Sequence, residues 1–374
     1  MSYDIQDVLK SVQGGAPAPH TTTDDIIGRA RRRRARRTVG TAAAGVVACL
    51  GLVLVAANLP GGQGNDGGMP AAGHPAASQP TGPVPPEKPL PVKRIDFSTT
   101  LGSYRVGPYQ VGPAGQVTAG YQQIPVYRDG ETWQDDATKV DYPYAGSMIT
   151  VYAPGVYDPG SFTFGEDATL KISDPYTVKI GDRAGLAIDF TYSVPGNEST
   201  KFVRTALAWQ YKTGAWATLV PNYNHGPLPR ADAVQIAAGL VTSAKKQQLK
   251  VPYKLGYLPK GWQAVAVDQP SLQVGTTLSA IYLHQGPEAN PATVQDGSAP
   301  GTISIGVYHG RDSKDPLVEG LNCFAARHEC TILRGDYQIS VGSWDQSDAI
   351  VKKIAQGLQF KDFGDPSTWI VPNA

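Results

Sequence analysis

Residues 204–221 read RTALAWQYKTGAWATLVP, and this stretch decides the fold class of the C-terminal part of the chain. Two runs rich in β-forming residues, 204–212 and 215–221, are separated by Thr213 and Gly214. A two-residue connection that contains glycine is typical of a tight hairpin between antiparallel strands. The stretch therefore predicts two neighbouring strands of an antiparallel sheet.

The residues around this hairpin extend the sheet and add a helix. Upstream, residues 147–153, 176–180 and 185–193 are short Val/Ile/Tyr/Thr-rich runs bounded by Gly, Pro and Asp. In 185–193 apolar residues alternate with polar ones, which indicates a half-buried strand. Downstream, residues 229–243 have the spacing of an amphipathic helix, with these residues on one face: Ala233, Ile236, Ala237 and Leu240.

The same order of elements returns later in the chain. Candidate strands at 261–267, 278–284, 302–310 and 330–342 precede a candidate helix at 347–360. The helical segments ADAVQIAAGL (231–240) and AIVKKIAQGL (349–358) are identical at five of ten positions. Repetition of this kind predicts a duplication. The predicted fold class is α+β, with two tandem lobes (95–245 and 246–374), each a mostly antiparallel sheet with a packed C-terminal helix.

A transmembrane helix is predicted to precede these lobes. Residues 38–58 are 21 residues without a formal charge, enough to cross about 30 Å of hydrocarbon. Positive charge beside a span stays in the cytoplasm, which places the N-terminus inside and the lobes outside. Two alternatives remain open, lipidation of Cys49 and signal-peptide cleavage near Ala57. The arginines that set this topology are Arg29, Arg31, Arg32, Arg33, Arg34, Arg36 and Arg37.

The tail (1–37) and the linker (59–94) flank the span. Apolar residues 5, 8, 9 and 12 form one stripe of a short helix, which suits a cytoplasmic protein partner, the lipid bilayer, or a frayed tail. The linker is rich in glycine and then in proline, so it is an extended spacer. The tail carries a net charge of +4 and the remainder −3. Since the lobes lack a basic excess, nucleic acid is excluded as a partner.

Two cysteines, Cys323 and Cys330, lie in the part predicted to be outside the cytoplasm, where a disulfide is the expected state. On the chain-entropy model, a disulfide that closes this eight-residue loop raises the free energy of unfolding by about 2.5 kcal/mol. The histidines show no metal-ligand spacing, and no catalytic motif or cofactor-binding loop is recognisable. The carboxylates near Trp133 (Glu131, Asp135 and Asp136) are compatible with a glycosidase or with a solvated loop.

The chain also resembles a known group of proteins. The segments that carry the resemblance are LPKGWQAV (258–265), IAQGLQF (354–360) and GRARRRRARR (28–37) before an Ala/Val-rich span. They resemble actinobacterial single-pass membrane proteins with an extracytoplasmic domain of unknown function, some of them linked to extracytoplasmic-function sigma factors. The resemblance implies membrane location and signalling, and it transfers no catalytic residue. The tail lacks the His and Cys pattern of a zinc-type anti-sigma domain.

These observations predict a membrane-anchored, non-catalytic sensor or binding protein of a bacterial cell envelope. Its ligand outside the cytoplasm is expected to be cell-wall material or a protein. The alternatives are an extracytoplasmic enzyme acting on cell-wall or surface glycans, and a structural envelope protein that binds other proteins. The enzyme is distinguished by a cleft in which polar groups converge on a carboxylate or histidine of perturbed pKa.

Overall fold

The computed structural model describes residues 90–91, 95–134, 141–162, 164, 170–194, 197–222, 227–269, 277–286, 288–289, 300–310, 317–343 and 345–372. The predicted tail, the predicted span and most of the linker lie outside these residues. Within the described ranges, no helix has both the length and the apolar character needed to cross a bilayer.

In the described part of the first half, twelve strands are followed by one α-helix. They are β1 (Leu90–Pro91), β2 (Ser98–Leu101), β3 (Tyr104–Val106), β4 (Tyr109–Val111), β5 (Gln116–Thr118), β6 (Tyr121–Gln134), β7 (Asp141–Tyr152), β8 (Leu170–Ile172), β9 (Tyr176–Ile180), β10 (Arg183–Val194), β11 (Asn197–Lys212), β12 (Ala215–Pro221) and α1 (Arg230–Ala238).

The described part of the second half contains ten strands and one more α-helix. They are β13 (Thr242–Gln248), β14 (Tyr253–Leu255), β15 (Trp262–Asp268), β16 (Thr277–Gln285), β17 (Glu288–Ala289), β18 (Thr302–His309), β19 (Gly320–Phe324), β20 (Glu329–Arg334), β21 (Tyr337–Ser343), α2 (Asp348–Gln356) and β22 (Leu358–Phe360).

The predicted α+β class is wrong, because the described residues are mainly β. Strands make up 58% of them and helices 12%, and the two α-helices have only nine residues each. In both halves the predicted helix extends beyond the observed one. Residues 242 and 243 of the predicted first helix belong to β13, and residues 358–360 of the predicted second helix form β22, which pairs with β14. A large sheet dominates the structure instead of two sheet-and-helix lobes.

The two halves share one strand order within this sheet. In the first half β5, β6 and β7 are neighbours, followed across the sheet by β12, β11 and β10. In the second half β15, β16 and β18 are followed by β21, β20 and β19. The first helix, α1, directly follows β12, which lies beside β7 in the sheet. The second helix, α2, directly follows β21, which lies beside β18. The topology therefore repeats, and all of these pairings are antiparallel.

The two helices pack on the same face of the sheet, through residues at equivalent positions of the aligned segments. α1 buries Ala233, Ile236 and Ala237, and α2 buries Val351, Ile354 and Ala355. Spacing of three and four residues puts each triplet on one side of its helix. These side chains complete two apolar cores against strand residues that face the helices.

Strands of the first half pair directly with strands of the second half. β5 pairs with β15 through three residue pairs, and β2 pairs with β13. Ile95 and Phe97, at the start of the first half, are buried in the core of the second half together with Val117 of β5. The boundary predicted between residues 245 and 246 falls inside β13. The second core is thus built from both halves.

Candidate functional site

A row of polar and small side chains crosses the sheet on the face opposite the helices. Each member is the direct cross-strand partner of the next, and the row spans ten adjacent strands from β19 to β12, roughly 40 Å at about 4.8 Å per strand. We call it the polar row. Its members, in order, are Asn322, Thr331, Ser340, Gly306, Ala280, Asp268, Gln116, Gln123, Thr150 and Thr218.

Alternation along each strand produces the polar row. In β18, Ile303, Ile305 and Val307 are fully buried on the helix side. Successive side chains of a strand point to opposite faces. Ser304, Gly306 and Tyr308 therefore lie on the other face, the one that carries the row. The same face of β21 carries Ser340.

Asp268 lies where the two halves meet. It ends β15, and its direct neighbours are Gln116 of β5 on one side and Ala280 of β16 on the other. Burial raises the pKa of the Asp268 carboxyl to about 7, although the backbone N–H of Gln269 acts to lower it. A carboxyl in such surroundings exchanges its proton near neutral pH. Asp268 is therefore the titratable centre of the polar row.

Tyr308 lies beside Asp268 on the same face. A Cβ atom added at Gly306 would come within 2.4 Å of the Tyr308 hydroxyl oxygen, so the ring extends over this glycine. Burial raises the pKa of Tyr308 to about 12, and the charges of Asp268 and Glu329 act in the same direction. Glu329 accepts a hydrogen bond from the Ser340 hydroxyl at 2.6 Å. One tyrosine thus lies between two carboxylates of the second half.

Several members of the polar row are buried. Thr331 and Thr218 are each 3% exposed, Gln116 is 6% exposed and Thr150 is 7% exposed. Gln123 Nε2 donates to Thr150 Oγ1 at 3.2 Å, which links β6 to β7 on this face. Burying hydroxyl and amide groups costs free energy that apolar side chains would not. The helix side of the same strands carries apolar residues at the corresponding positions.

An aromatic cluster borders the polar row in the first half. The Tyr152 ring lies 5.8 Å from Tyr121 and 4.7 Å from Tyr157, and Tyr157 lies 6.2 Å from Trp216. Burial raises the pKa of the Tyr157 hydroxyl well above its ordinary value. The cluster belongs to an apolar core on this face with Leu186, Ile188 and Phe190 of β10. Beyond Thr218 the face is therefore packed rather than polar.

The sulfur atoms of Cys323 and Cys330 lie 2.03 Å apart, at disulfide distance. The two cysteines are direct cross-strand partners in β19 and β20. The loop between them ends at His328, whose Nδ1 lies 2.7 Å from Asp348 Oδ1 at the start of α2. The disulfide and this contact hold the hairpin at the end of the sheet and against the helix.

Reduction of this disulfide is expected to lower the free energy of unfolding by about 2.5 kcal/mol, because the eight-residue loop then adds freedom to the unfolded chain. Urea unfolding with and without a dithiol reductant measures the change. The double variant Cys323→Ser/Cys330→Ser should match the reduced protein and not respond to reductant. Unfolding curves of the unmodified chain that superimpose with and without reductant would contradict the expectation.

The other residues singled out in the sequence do not meet at one place. His284 Nδ1 lies 3.4 Å from Thr302 Oγ1, and the His309 ring packs edge to face against Tyr337, with centroids 5.2 Å apart, at the far end of β18. Within the described ranges, no three His, Cys, Asp or Glu side chains are grouped to hold a metal ion. Glu131 pairs with Arg128 at 3.2 Å. Asp135, Asp136, Cys49, Ala57 and the seven arginines of the tail lie outside the described residues.

Neither Asp268 nor the polar row was predicted from the sequence. The signal that could have found the row is strict alternation in TISIGVYH (302–309), where Thr, Ser, Gly and Tyr alternate with Ile, Ile and Val. Asp268 ends a run of small apolar residues, WQAVAVD (262–268), where a carboxyl is unexpected. The cross-strand register that aligns these residues could not be derived from spacing alone.

Neither a protein-family model nor a curated protein sequence matches the chain. Among solved structures, it is similar to "Crystal structure of MucB in complex with MucA(peri)", with 11% identity, a TM-score of 0.18, and coverage of 67% of this chain and 94% of that chain. A second is "Crystal structure of MucB", with 9% identity, a TM-score of 0.16 and coverage of 66% and 92%.

Proposed function

We propose that this chain is a membrane-anchored protein of a bacterial cell envelope that binds a ligand on the polar row without transforming it. In this proposal the arginine-rich tail stays in the cytoplasm, residues 38–58 cross the membrane, and the sheet lies outside. The ligand is an extended polar polymer, for which cell-wall glycan is the natural candidate in that compartment.

The polar row is the observation that carries this proposal. Ten strands contribute one residue each to a continuous line of hydroxyl, amide, carboxyl and small side chains. A fold selected for stability alone would fill the buried positions with Val or Ile, as it does on the helix side. Local departures from that rule are expected where a surface serves a function. The row members that are only partly buried, Asn322, Ser340, Asp268 and Gln123, offer donors and acceptors at intervals along this line, which suits a ligand that is long and rich in hydrogen-bonding groups.

The spacing of the carboxylates favours binding over glycan hydrolysis. Asp268 on β15 and Glu329 on β20 are separated by β16, β18 and β21. At about 4.8 Å per strand, four strand spacings are roughly 19 Å. Glycosidases of the common retaining and inverting types need two carboxyl groups about 5 to 10 Å apart. Asp268 and Glu329 therefore do not suit that reaction as a pair.

Two features support a location outside the cytoplasm. The paired cysteines suit an oxidising compartment, since cytosolic thiols are kept reduced. The arginine run beside an uncharged 21-residue segment favours a cytoplasmic N-terminus.

Protease added to intact cells should cleave the chain after residue 59 and spare the tail. Cleavage that requires permeabilised cells would contradict this orientation.

Binding to the polar row is tested with the full chain in detergent and an insoluble preparation of cell-wall glycan. The chain should sediment with the glycan and release no soluble sugar fragments. Gln123→Ala removes one amide of the row and should weaken binding about 2- to 10-fold, the value of one neutral hydrogen bond. Gln356→Ala removes an exposed amide from α2, on the other face of the sheet, and serves as the matched control.

Two outcomes would overturn the proposal. Equal sedimentation of the unmodified chain and Gln123→Ala would mean that the polar row does not hold this ligand. Release of soluble fragments that depends on Asp268 would support the enzyme alternative. Circular dichroism of each variant is needed first, because Gln123 also bonds Thr150 within the sheet.

A further inference from the structure

Asp268 has no cationic partner among the described residues. None of the ion pairs in these ranges includes it, and its carboxyl accepts a hydrogen bond from the backbone N–H of Gln269. Glu329, four strand spacings away, is likewise in none of these ion pairs and accepts from the neutral Ser340 hydroxyl. A buried carboxylate that no cation compensates costs free energy. This face of the second half therefore carries negative charge that the described side chains do not neutralise.

The Asp268 carboxyl lies where a ligand can reach it. Asp268 is half-buried, and the next two members of the polar row, Ala280 and Gly306, have at most a methyl group as side chain. Ser340 follows them in the row and is also half-buried. No bulky member of the row therefore stands between Asp268 and Ser340, and the space above Gly306 is taken by the Tyr308 ring.

The Tyr308 ring is the second part of this site. A Cβ atom at Gly306 would meet its Cζ atom at 2.7 Å, so only glycine leaves room for the ring. Gly306 lies two strand spacings from Asp268, roughly 10 Å. Tyr308 is half-buried, so part of its surface is exposed beside the row. Aromatic rings attract cations and offer apolar contact area. A carboxylate near such a ring suits an ammonium group.

The row members of the first half carry no charge. They are the amides of Gln116 and Gln123 and the hydroxyls of Thr150 and Thr218. Such groups hydrogen-bond neutral parts of a polymer and do not select its charge. A ligand without positive charge would leave the cost of the Asp268 carboxylate in place, whereas an ammonium group would offset it. Selection by charge therefore falls to Asp268.

We infer that the ligand of the polar row is a glycan with free amino groups, and that one of its ammonium groups binds the Asp268 carboxylate beside the Tyr308 ring. This inference rests on the proposed function, which it narrows from polar polymers in general to cationic amino sugars. The amides and hydroxyls of the row bind the sugar hydroxyl groups, and the carboxylate distinguishes a free amine from an acetylated one.

The inference is tested by titration calorimetry of the full chain in an uncharged detergent at pH 7. The two probes are a tetramer of glucosamine and a tetramer of N-acetylglucosamine, which have the same length and differ in charge. The glucosamine tetramer should bind at least 10-fold more tightly, the value of a hydrogen bond between charged groups. Added salt should reduce this preference, because it screens the ionic contact.

Asp268→Asn should bind the two tetramers about equally. Removal of a buried charge is not expected to destabilise the fold, so a lost preference would report the carboxylate itself. Asp182→Asn is the matched control, because it removes a carboxylate that is 95% exposed in the turn between β9 and β10. It should keep the preference of the unmodified protein. Gln123→Ala should weaken both tetramers alike.

Four outcomes would overturn the inference. Equal binding of the two tetramers, weakened by Gln123→Ala, would leave the proposed function standing without selection by charge. A preference that persists in Asp268→Asn would place the amine elsewhere. Binding of tetralysine without binding of the glucosamine tetramer would mean that the ligand is a cationic polypeptide. Binding of neither tetramer would also overturn it, while sedimentation with insoluble cell-wall glycan decides the proposed function separately.

Discussion

The Asp268→Asn variant is expected to be more stable than the unmodified protein at pH 8, by about 2 to 4 kcal/mol. Burial raises the pKa of this carboxyl to about 7 in the folded protein, whereas its ordinary value is 3.8. Each unit of difference corresponds to about 1.4 kcal/mol, and the lower figure allows for partial exposure of the side chain. An asparagine of similar shape carries no charge to bury.

The pH dependence has a definite sign. Between about pH 4 and pH 7 the folded state binds more protons at Asp268 than the unfolded state does. Stability therefore falls as pH rises through this window and levels off above pH 7. Urea unfolding of the unmodified protein and Asp268→Asn at pH 4 and pH 8 measures the effect. The curves should nearly coincide at pH 4 and separate at pH 8, and parallel pH profiles would contradict the prediction.

Asp345→Asn supplies a control of opposite sign. Burial acts to raise the pKa of Asp345, but hydrogen bonds from Gln346, the Gly301 N–H and Ser343 outweigh it and lower the pKa. Gly301 N lies 2.8 Å from Asp345 Oδ2. The carboxylate therefore stabilises the folded state at pH 8, and that stabilisation is lost as pH falls through its folded pKa. Asp345→Asn should be less stable than the unmodified protein at pH 8.

Gly256→Ala is expected to lower the free energy of unfolding by about 3 kcal/mol or more. A Cβ atom at this position would lie 2.4 Å from the carbonyl oxygen of Gly357. Gly256 N–H already donates to that oxygen at 2.8 Å. Both groups are backbone, so no side-chain rotation can relieve the contact. The change should separate β14 from β22 and disturb the end of α2, and urea unfolding would measure the loss.

Gly102→Ala is the matched control for this substitution. An added Cβ atom at Gly102 meets nothing within 4 Å, and its backbone is not in the left-handed region. The variant should change stability by less than about 1 kcal/mol, because alanine mainly restricts the unfolded chain. Equal effects at Gly102 and Gly256 would show that the close backbone approach is not the cause.

The strands that alternate clearly could be predicted from the sequence. Residues 176–180 and 215–221 coincide with β9 and β12, and 302–310 differs from β18 by one residue. β6, at 14 residues one of the longest strands, was not predicted. Its run YQQIPVYRDGETWQ contains proline, glycine and several charges, and two register shifts interrupt its pairing with β7. Tertiary pairing rather than local preference makes this segment a strand.

The predicted fold class was wrong for a related physical reason. Helical spacing in 229–243 and 347–360 is genuine, but it covers only nine residues in each segment. The residues that follow the second helix, such as Leu358 and Phe360, suit a strand equally well and pair with β14. Local periodicity could not reveal that partner. For the same reason the polar row could not be predicted from the spacing of residues along the chain, because its members come from ten different strands.

The burial of Ile95 and Phe97 in the C-terminal half has a consequence for biosynthesis. These side chains lie more than 150 residues before most of the residues they contact, and long sequence separations slow folding. During synthesis, residues 95–97 emerge before the residues of the second half that bury them. We therefore expect the Ile95 and Phe97 side chains to stay exposed until that half has been made.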